Sequence, residues 1–465
     1  MLNTIRRTLM RLFNAIRMFR QVEAQGGFGI RSSALSPDML DAIELWCDMV
    51  AGEAPWNAKA KSCGVLEQIG VRLSNLVSRE ISVECADPAI EGAMMTLDAD
   101  CPRLTEYMAL AGGCVVRPVF ANGKLQHEAI PLGRYLPTSY DFDGTLKGCI
   151  LLKRISEGER KWLLSERHEF DGANHAVECK LWRDDHGALK ETTLADCPAT
   201  EMLTPSYVWQ GCAMPMVVEF RNPATNHIDG SNVPIPVFAG CEQLIRDADE
   251  QWERMRWEQE GGALRVFADR DMFAHRKLRD GTIVDTGLSP ELNRLVVKLD
   301  GDGSSDGSKI TQFAPALRTE EQTKLYQQIL KRIELACGLG KGTLADLEAV
   351  QQTATQYTGG RNELYALVDK LEDEIKVKYE RTASVFAYMA AAYGLGSGTG
   401  DITVKWNDDQ TRKDMSAAKT MAMQEITQGV RSKWEYRRDF FGEDEATARA
   451  NTPQEEQASM SYFGA

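Results

Sequence analysis

The chain has 465 residues, 43% hydrophobic and 26% charged, the balance of a folded globular protein too long for one simple core. Its net charge of −14 excludes the basic footprint of an ordinary nucleic-acid-binding protein, and no apolar run reaches the ~18 residues of a membrane helix. Eleven scattered cysteines, odd in number and without a Cys-x-x-Cys pair, argue against a zinc ribbon or a disulfide framework and for folding in a reducing cytosol.

The chain opens on an amphipathic pattern over residues 1–25. Ile5, Leu9, Leu12, Phe13, Ile16 and Phe19 share one helical face, and Arg6, Arg7, Arg11, Arg17 and Arg20 occupy the rest. This pattern suits a transit peptide, an interfacial helix or a helix docked on its own domain or a neighbouring subunit, and no small-residue cleavage site follows, which favours docking. Ser36-Pro37 supplies an N-cap and a first-turn proline for a helix carrying Leu40, Ile43, Trp46 and Cys47. A second helix is expected around 65–77. Gly112-Gly113 ends a third and leads into a strand over 114–120, and Ala121-Asn122-Gly123-Lys124 is a hairpin signal.

From 148 to 218 the pattern has period two, with Val177, Cys179 and Leu181 alternating with Glu178 and Lys180, and Asp184-Asp185-His186-Gly187 turns the chain back. The segments Phe220-Arg221-Asn222-Pro223 and Asn226-His227-Ile228-Asp229-Gly230 form a turn-rich loop. Beyond Pro236, apolar residues at Cys241, Ile245, Ala248, Trp252 and Met255 predict a helix over 236–260, about 37 Å long. A strand-rich insert follows, with strands expected at 264–267, 294–299 and 310–313. Thr319-x-x-Gln322 reads as a capping box for a second helix over 318–337, and Gly338 closes it as a C′ residue. After the glycine-broken run Gly338-Leu339-Gly340-Lys341-Gly342, a long helix is expected over 362–389, a strand over 402–406 and a charged helical terminus. Ser432-x-x-Glu435 and Thr452-Pro453-x-Glu455 are further capping boxes. The fold class is α+β, with two helices bracketing a small head.

Signals for chemistry are weak. The segment 338–343 lacks the first glycine and the hydroxyl of a phosphate loop and follows a helix rather than a strand. In the run 300–307, Ser305 and Thr311 stand where a calcium loop needs glycine and glutamate. The six histidines do not fall at zinc-ligand spacing, and no Gly-x-Ser-x-Gly elbow occurs. No catalytic residue, metal or cofactor is therefore expected, and the pattern suggests a conduit rather than an enzyme.

In order and spacing these features resemble the portal proteins of tailed bacteriophages, of the kind typical of long-tailed phages of Gram-positive hosts. The resemblance spans about 35–448. It is carried by Met39–Trp46 with Gly52-Glu53-Ala54-Pro55-Trp56, by Ala111-Gly112-Gly113, and by Phe220-Arg221-Asn222-Pro223 through Asn226 and Asp229. Its strongest part runs from Arg318-Thr319-Glu320-Glu321 through Ile333-Glu334 to Gly338–Thr343 and Thr353-Ala354-Thr355, where Gln356 replaces a frequent glutamate. Ile402–Asp409, Gln428–Ser432 and Glu443–Ala446 match the C-terminal pattern.

The resemblance implies a homo-oligomeric ring of about twelve subunits at one capsid vertex, through which double-stranded DNA is packaged and later ejected. It implies a wing over 26–235, a first stem helix over 236–261 and a clip over 262–317. A second stem helix over 318–337, a tunnel loop over 338–357, a long wing helix with its returning strand over 358–406 and a helical crown over 407–465 complete it. Implied partners are the terminase large subunit, the major capsid and scaffolding proteins, and head-completion or adaptor proteins. The expected location is the virion, after assembly in the host cytoplasm, with no membrane partner. About twelve helices at ~10 Å spacing enclose an opening of roughly 28 Å, wide enough for a duplex.

An acidic ring would keep DNA from sticking while a few cations steer it. Lys331 on the second stem helix and Lys341 in the loop are the expected channel cations, with Lys324 a weaker candidate. Gln351, Gln352 and Thr353 can touch phosphates without tight binding. The three loop glycines are expected to supply pliability. Arg265, Arg270, Arg276, Lys277 and Arg279 form the expected docking surface of the clip for the motor and connector. Two rivals remain: a nucleotide-using or organelle-targeted enzyme, and a capsid-associated protein that builds no conduit.

Overall fold

A computed structural model describes residues 34–452, except 80, 158–159, 186–187, 263–264, 270–274, 278, 281–282, 286–295, 300–309, 314–315, 346–361, 397–399, 407–414 and 442. The basic N-terminal segment and the box at 452–455 therefore fall wholly or partly outside it. The architecture is mixed α and β. Helices α3 (Pro88–Ala99) and α4 (Cys101–Ala111) pack on the three-stranded sheet β10-β2-β3, and α1 (Pro37–Ala51) and α2 (Val65–Val77) pack on α4. The strands of this sheet are β2 (Gly113–Ala121), β3 (Lys124–Pro131) and β10 (Val218–Arg221).

The local signals act as their chemistry requires. Ser36 Oγ accepts from Met39 N at 3.2 Å and caps α1. Asn122 and Gly123 both adopt positive φ, at 53° and 73°, which gives the β2–β3 hairpin its tight turn. Gly112 and Gly113 are fixed by close approach. A Cβ on Gly112 would stand 2.7 Å from the Ile235 backbone, and one on Gly113 2.7 Å from the Phe220 carbonyl.

The second sheet is antiparallel and runs β4 (Tyr135–Tyr140), β5 (Leu146–Glu157), β6 (Arg160–Phe170), β7 (Asn174–Asp185) and β8 (Ala188–Thr192). Strand β7 shares its outer edge. Residues 181–185 pair with β8, and residues 174–178 pair with β9 (Ser206–Gln210). The expected alternation holds, since Val177, Cys179 and Leu181 are buried beside Trp162 and Leu164. On this sheet a buried polar chain runs from Met216 N to His175 Nδ1 (3.4 Å), from His175 Nε2 to His168 Nδ1 (3.0 Å), and from His168 Nε2 toward Glu166 (3.6 Å). Arg117 contacts Glu166 and, at 2.7 Å, Glu128.

Helix α7 (Asn362–Ala392) is the spine of the body. Leu364, Val368, Leu371, Ile375, Tyr379, Ala383, Phe386 and Ala390 form a buried stripe at three- and four-residue spacing. Each such large side chain contributes roughly 1.5–3 kcal/mol by leaving water. Tyr379 also meets the Phe220 ring edge-on and donates to Leu97 O. The strand β16 (Ile402–Trp406) returns to pair antiparallel with β1 (Ile81–Cys85), joining the chain's two halves. The C-terminal helices are α8 (Met415–Thr427), α9 (Lys433–Phe441) and α10 (Glu445–Ala450). The guanidinium groups of Arg438 and Arg449 lie over the Trp434 ring, 5.5 and 4.2 Å from its centre. Among the described residues, no helix is long and apolar enough to cross a membrane.

Two sequence expectations need correction. Helix α5 spans Glu242–Gly261, about 30 Å rather than 37 Å. The segment 236–241 is a turn instead, with Ala239 N bonded to Pro236 O and Gly240 at φ 85°. Helix α6 (Thr319–Ala336) has Arg318 as its N-cap and no capping bond from its own side chains. Gln322 is turned away to Glu258 on α5, so the expected capping box does not form.

Candidate functional site: the helix hairpin and its glycine elbow

Helices α5 and α6 run antiparallel and are cross-linked along their length. At the base, Cys337 Sγ donates to Cys241 Sγ at 3.8 Å. Midway, the rings of Trp252 and Tyr326 lie 5.8 Å apart and Gln251 meets Gln322. At the far end Glu258 accepts from Arg318 N, Nε and Nη2 at 3.0, 3.1 and 3.3 Å, and from Gln322 Nε2 at 3.2 Å. A carboxylate from the opposite helix thus satisfies the orphan amide that a local cap would have taken.

The hairpin is seated on the body by carboxylates. Asp249 is buried and accepts from Trp56 Nε1 (2.9 Å), Asn57 Nδ2 (3.1 Å) and Cys63 N (2.8 Å). Seven residues earlier, on the same face of α5, Glu242 accepts from Trp46 Nε1 at 2.7 Å. The loop before α5 is tied down by amides. Asn222 Nδ2 donates to Ile235 O at 2.9 Å, and Asn226 Nδ2 donates to Asp229, Ser231 and Val233. The motif Phe220–Asp229 is the joint between body and hairpin.

The glycine run behind α6 is an elbow. Gly338 N bonds Leu335 O and Leu339 N bonds Glu334 O, a Schellman closure with Gly338 at φ 66°. Gly340 and Gly342 also take positive φ, at 69° and 79°. The buried Glu334 carboxylate then accepts from three backbone amides, Gly342 (3.2 Å), Leu344 and Ala345 (2.8 Å). Leu339, Thr343 and Ala345 are buried. Pliability was expected throughout this run. In the described part, 338–345, the three glycines lie in a hydrogen-bonded turn.

The named site residues fall at opposite ends of the hairpin. Lys331, toward the body end of α6, and Lys341, at the tip of the elbow, are both exposed. Lys324 is exposed and lies 4.0 Å from Glu320. Gln351, Gln352 and Thr353 lie outside the described residues. At the other end, the head contains β11 (Arg265–Asp269), β12 (His275–Lys277), β13 (Ile283–Asp285), β14 (Val296–Leu299) and β15 (Ile310–Phe313). Strand β11 pairs parallel with β14 and antiparallel with β15, and β12 pairs with β13. Arg265 is the first residue of β11, opposite Phe313. Arg276 and Lys277 are in β12, opposite Val284 and Ile283. Arg279 is exposed in the following turn, and Arg270 lies outside the described residues.

Sequence reasoning missed the buried carboxylates Asp249 and Glu334 and the thiol pair Cys241–Cys337. The signal for Glu334 was present, as an acid three residues before the cysteine that precedes a glycine-rich run. Large apolar side chains remain exposed on both helices: Trp257 at 74%, Leu335 at 69%, Leu325 at 45% and Trp252 at 39%. No protein-family model matches the chain, and no curated protein matches it.

Proposed function

We propose that this chain is the subunit of a phage portal: a ring around an open channel through which double-stranded DNA enters and leaves the capsid. The observation that carries the reading is the helix hairpin with its exposed apolar side chains. It is braced along its length, seated on the body by Trp46 and Trp56, and still presents Trp257, Leu335, Leu325 and Trp252 to solvent. Covering such residues by lateral contact with like hairpins would contribute roughly 1.5–3 kcal/mol for each large side chain fully buried.

The anchored elbow then presents Lys341 next to the inner end of α6, where a passing duplex can be steered without base readout. The head would dock the terminase large subunit during filling and adaptor proteins afterwards. The body would face the major capsid and scaffolding proteins within the virion. Negative-stain microscopy of purified full-length protein tests this, with rotationally symmetric rings bearing a central hole as the expected result. A single-copy particle at every concentration tried, and in every particle assembled with capsid protein, overturns it.

A further inference from the structure

The described cysteines are mostly isolated thiols buried in apolar surroundings. Burial pushes Cys47 and Cys101 up to about 12, which makes them poor nucleophiles. One pair differs. Cys241 sits at the N-cap of α5 and Cys337 at the C-cap of α6, 96 residues apart in sequence, with their sulfurs 3.8 Å apart. The hydrogen bond from Cys337 draws the Cys241 thiol below its ordinary range. Both lie at helix ends, and Cys337 directly precedes Gly338, so small local rotations move the sulfurs without unwinding either helix.

We infer that Cys241 and Cys337 form an oxidisable dithiol that hydrogen peroxide converts into a disulfide stapling the base of the hairpin. The Cys241 thiolate attacks one peroxide oxygen, the O–O bond breaks, and a sulfenic acid forms with release of water. The Cys337 sulfur then attacks the Cys241 sulfur, the S–O bond breaks, and a second water leaves. Two electrons pass from the two sulfurs to the peroxide, and both thiol protons end in water. The sulfurs need to close by about 1.8 Å to reach bonding distance. The pair stays reduced where the chain folds and closes only after exposure to oxidant, which reconciles it with a cytosolic fold. The staple ties α5 to the residue from which the elbow starts, so it fixes Gly338–Ala345 relative to both helices. This inference concerns the single chain and does not depend on ring formation.

The test uses full-length reduced protein, treated with hydrogen peroxide, then alkylated under denaturing conditions, digested and mapped by mass spectrometry. The expected result is loss of two of the eleven thiols and a linked peptide pair containing Cys241 and Cys337. Amide exchange at Leu339 and Leu344 should slow about tenfold in the oxidised protein, and not in peroxide-treated Cys241→Ser. Full alkylation of Cys241 and Cys337 while other cysteines oxidise overturns the inference, as does linkage of either to a different cysteine. The wild-type map decides the matter even where the serine variant fails to fold.

Discussion

His168 and His175 form a relay that works only while both rings are neutral. Met216 N donates to His175 Nδ1, so His175 carries its proton on Nε2 and passes it toward His168 Nδ1. Protonating either ring turns an acceptor into a donor and breaks the chain. Burial, with His168 alongside, pushes His175 down to about 3, and burial lowers His168 as well. Burial opposes charge on Glu166 too, yet His168 and Arg117 hold that carboxyl at about 2. A histidine lowered in the fold stabilises fully above its unfolded value of about 6.5 and less at each step below it, because the unfolded chain takes up the proton first. Stability should therefore fall by about 1.4 kcal/mol per pH unit for His175 as pH drops from about 6.5 toward 3. Glu166 adds to the loss only below about 4.3. Urea midpoints measured between about pH 7 and 5 will show the slope, and His175→Gln should flatten it. An unchanged slope in that variant would remove the relay as its source.

The elbow shows what an element needs beyond its own residues. Its three positive-φ glycines permit the turn, but Glu334 holds it, by accepting three amides in a buried position. Glu334→Ala should destabilise the protein by about 3–5 kcal/mol, since it strands those amides, whereas Glu334→Gln keeps one acceptor and should cost about half as much. Urea unfolding gives both values. Faster exchange at Gly342, Leu344 and Ala345 localises the loss, and an exchange pattern confined to other segments would count against this role. Local chemistry made several elements legible beforehand: Ser36-Pro37, Asn122-Gly123, Gly338, and the strands Ile310–Phe313 and Ile402–Trp406 were read within a residue or two. The start of α5 was misread, because Cys241 continues the apolar spacing although the backbone before Glu242 is a turn. Strand β4 carries no strong periodicity and gained its form from pairing. By contrast, β1 (Ile81, Val83 and Cys85 alternating with Ser82 and Glu84) and α3 (Asp87-Pro88 at its start, then Ile90, Ala93, Met94 and Leu97 on one face) carried local signals that the sequence reading passed over. Asp249 and Glu334 look like surface acids in sequence, since the partners that bury Asp249, Trp56 among them, lie nearly two hundred residues away in the chain.

At the scale of the whole molecule, charge and exposed apolar surface oppose each other. A chain of net charge −14 repels its copies, so any assembly needs contacts strong enough to hold like-charged neighbours together. Trp257 is the natural probe, because it is 74% exposed within the chain and little of its own fold rests on it. Trp257→Glu should leave the unfolding free energy within about 0.5 kcal/mol of the parent while abolishing the proposed rings in micrographs. Rings that survive the substitution would move the interface elsewhere. The bonds from Arg318 to Glu258 carry a last consequence. They join the two points where the head leaves and rejoins the helix pair, so α5 and α6 stay in register at that end through their own contacts. A head of another shape or length, grafted between the same two points, should therefore leave the contacts between α5 and α6 intact.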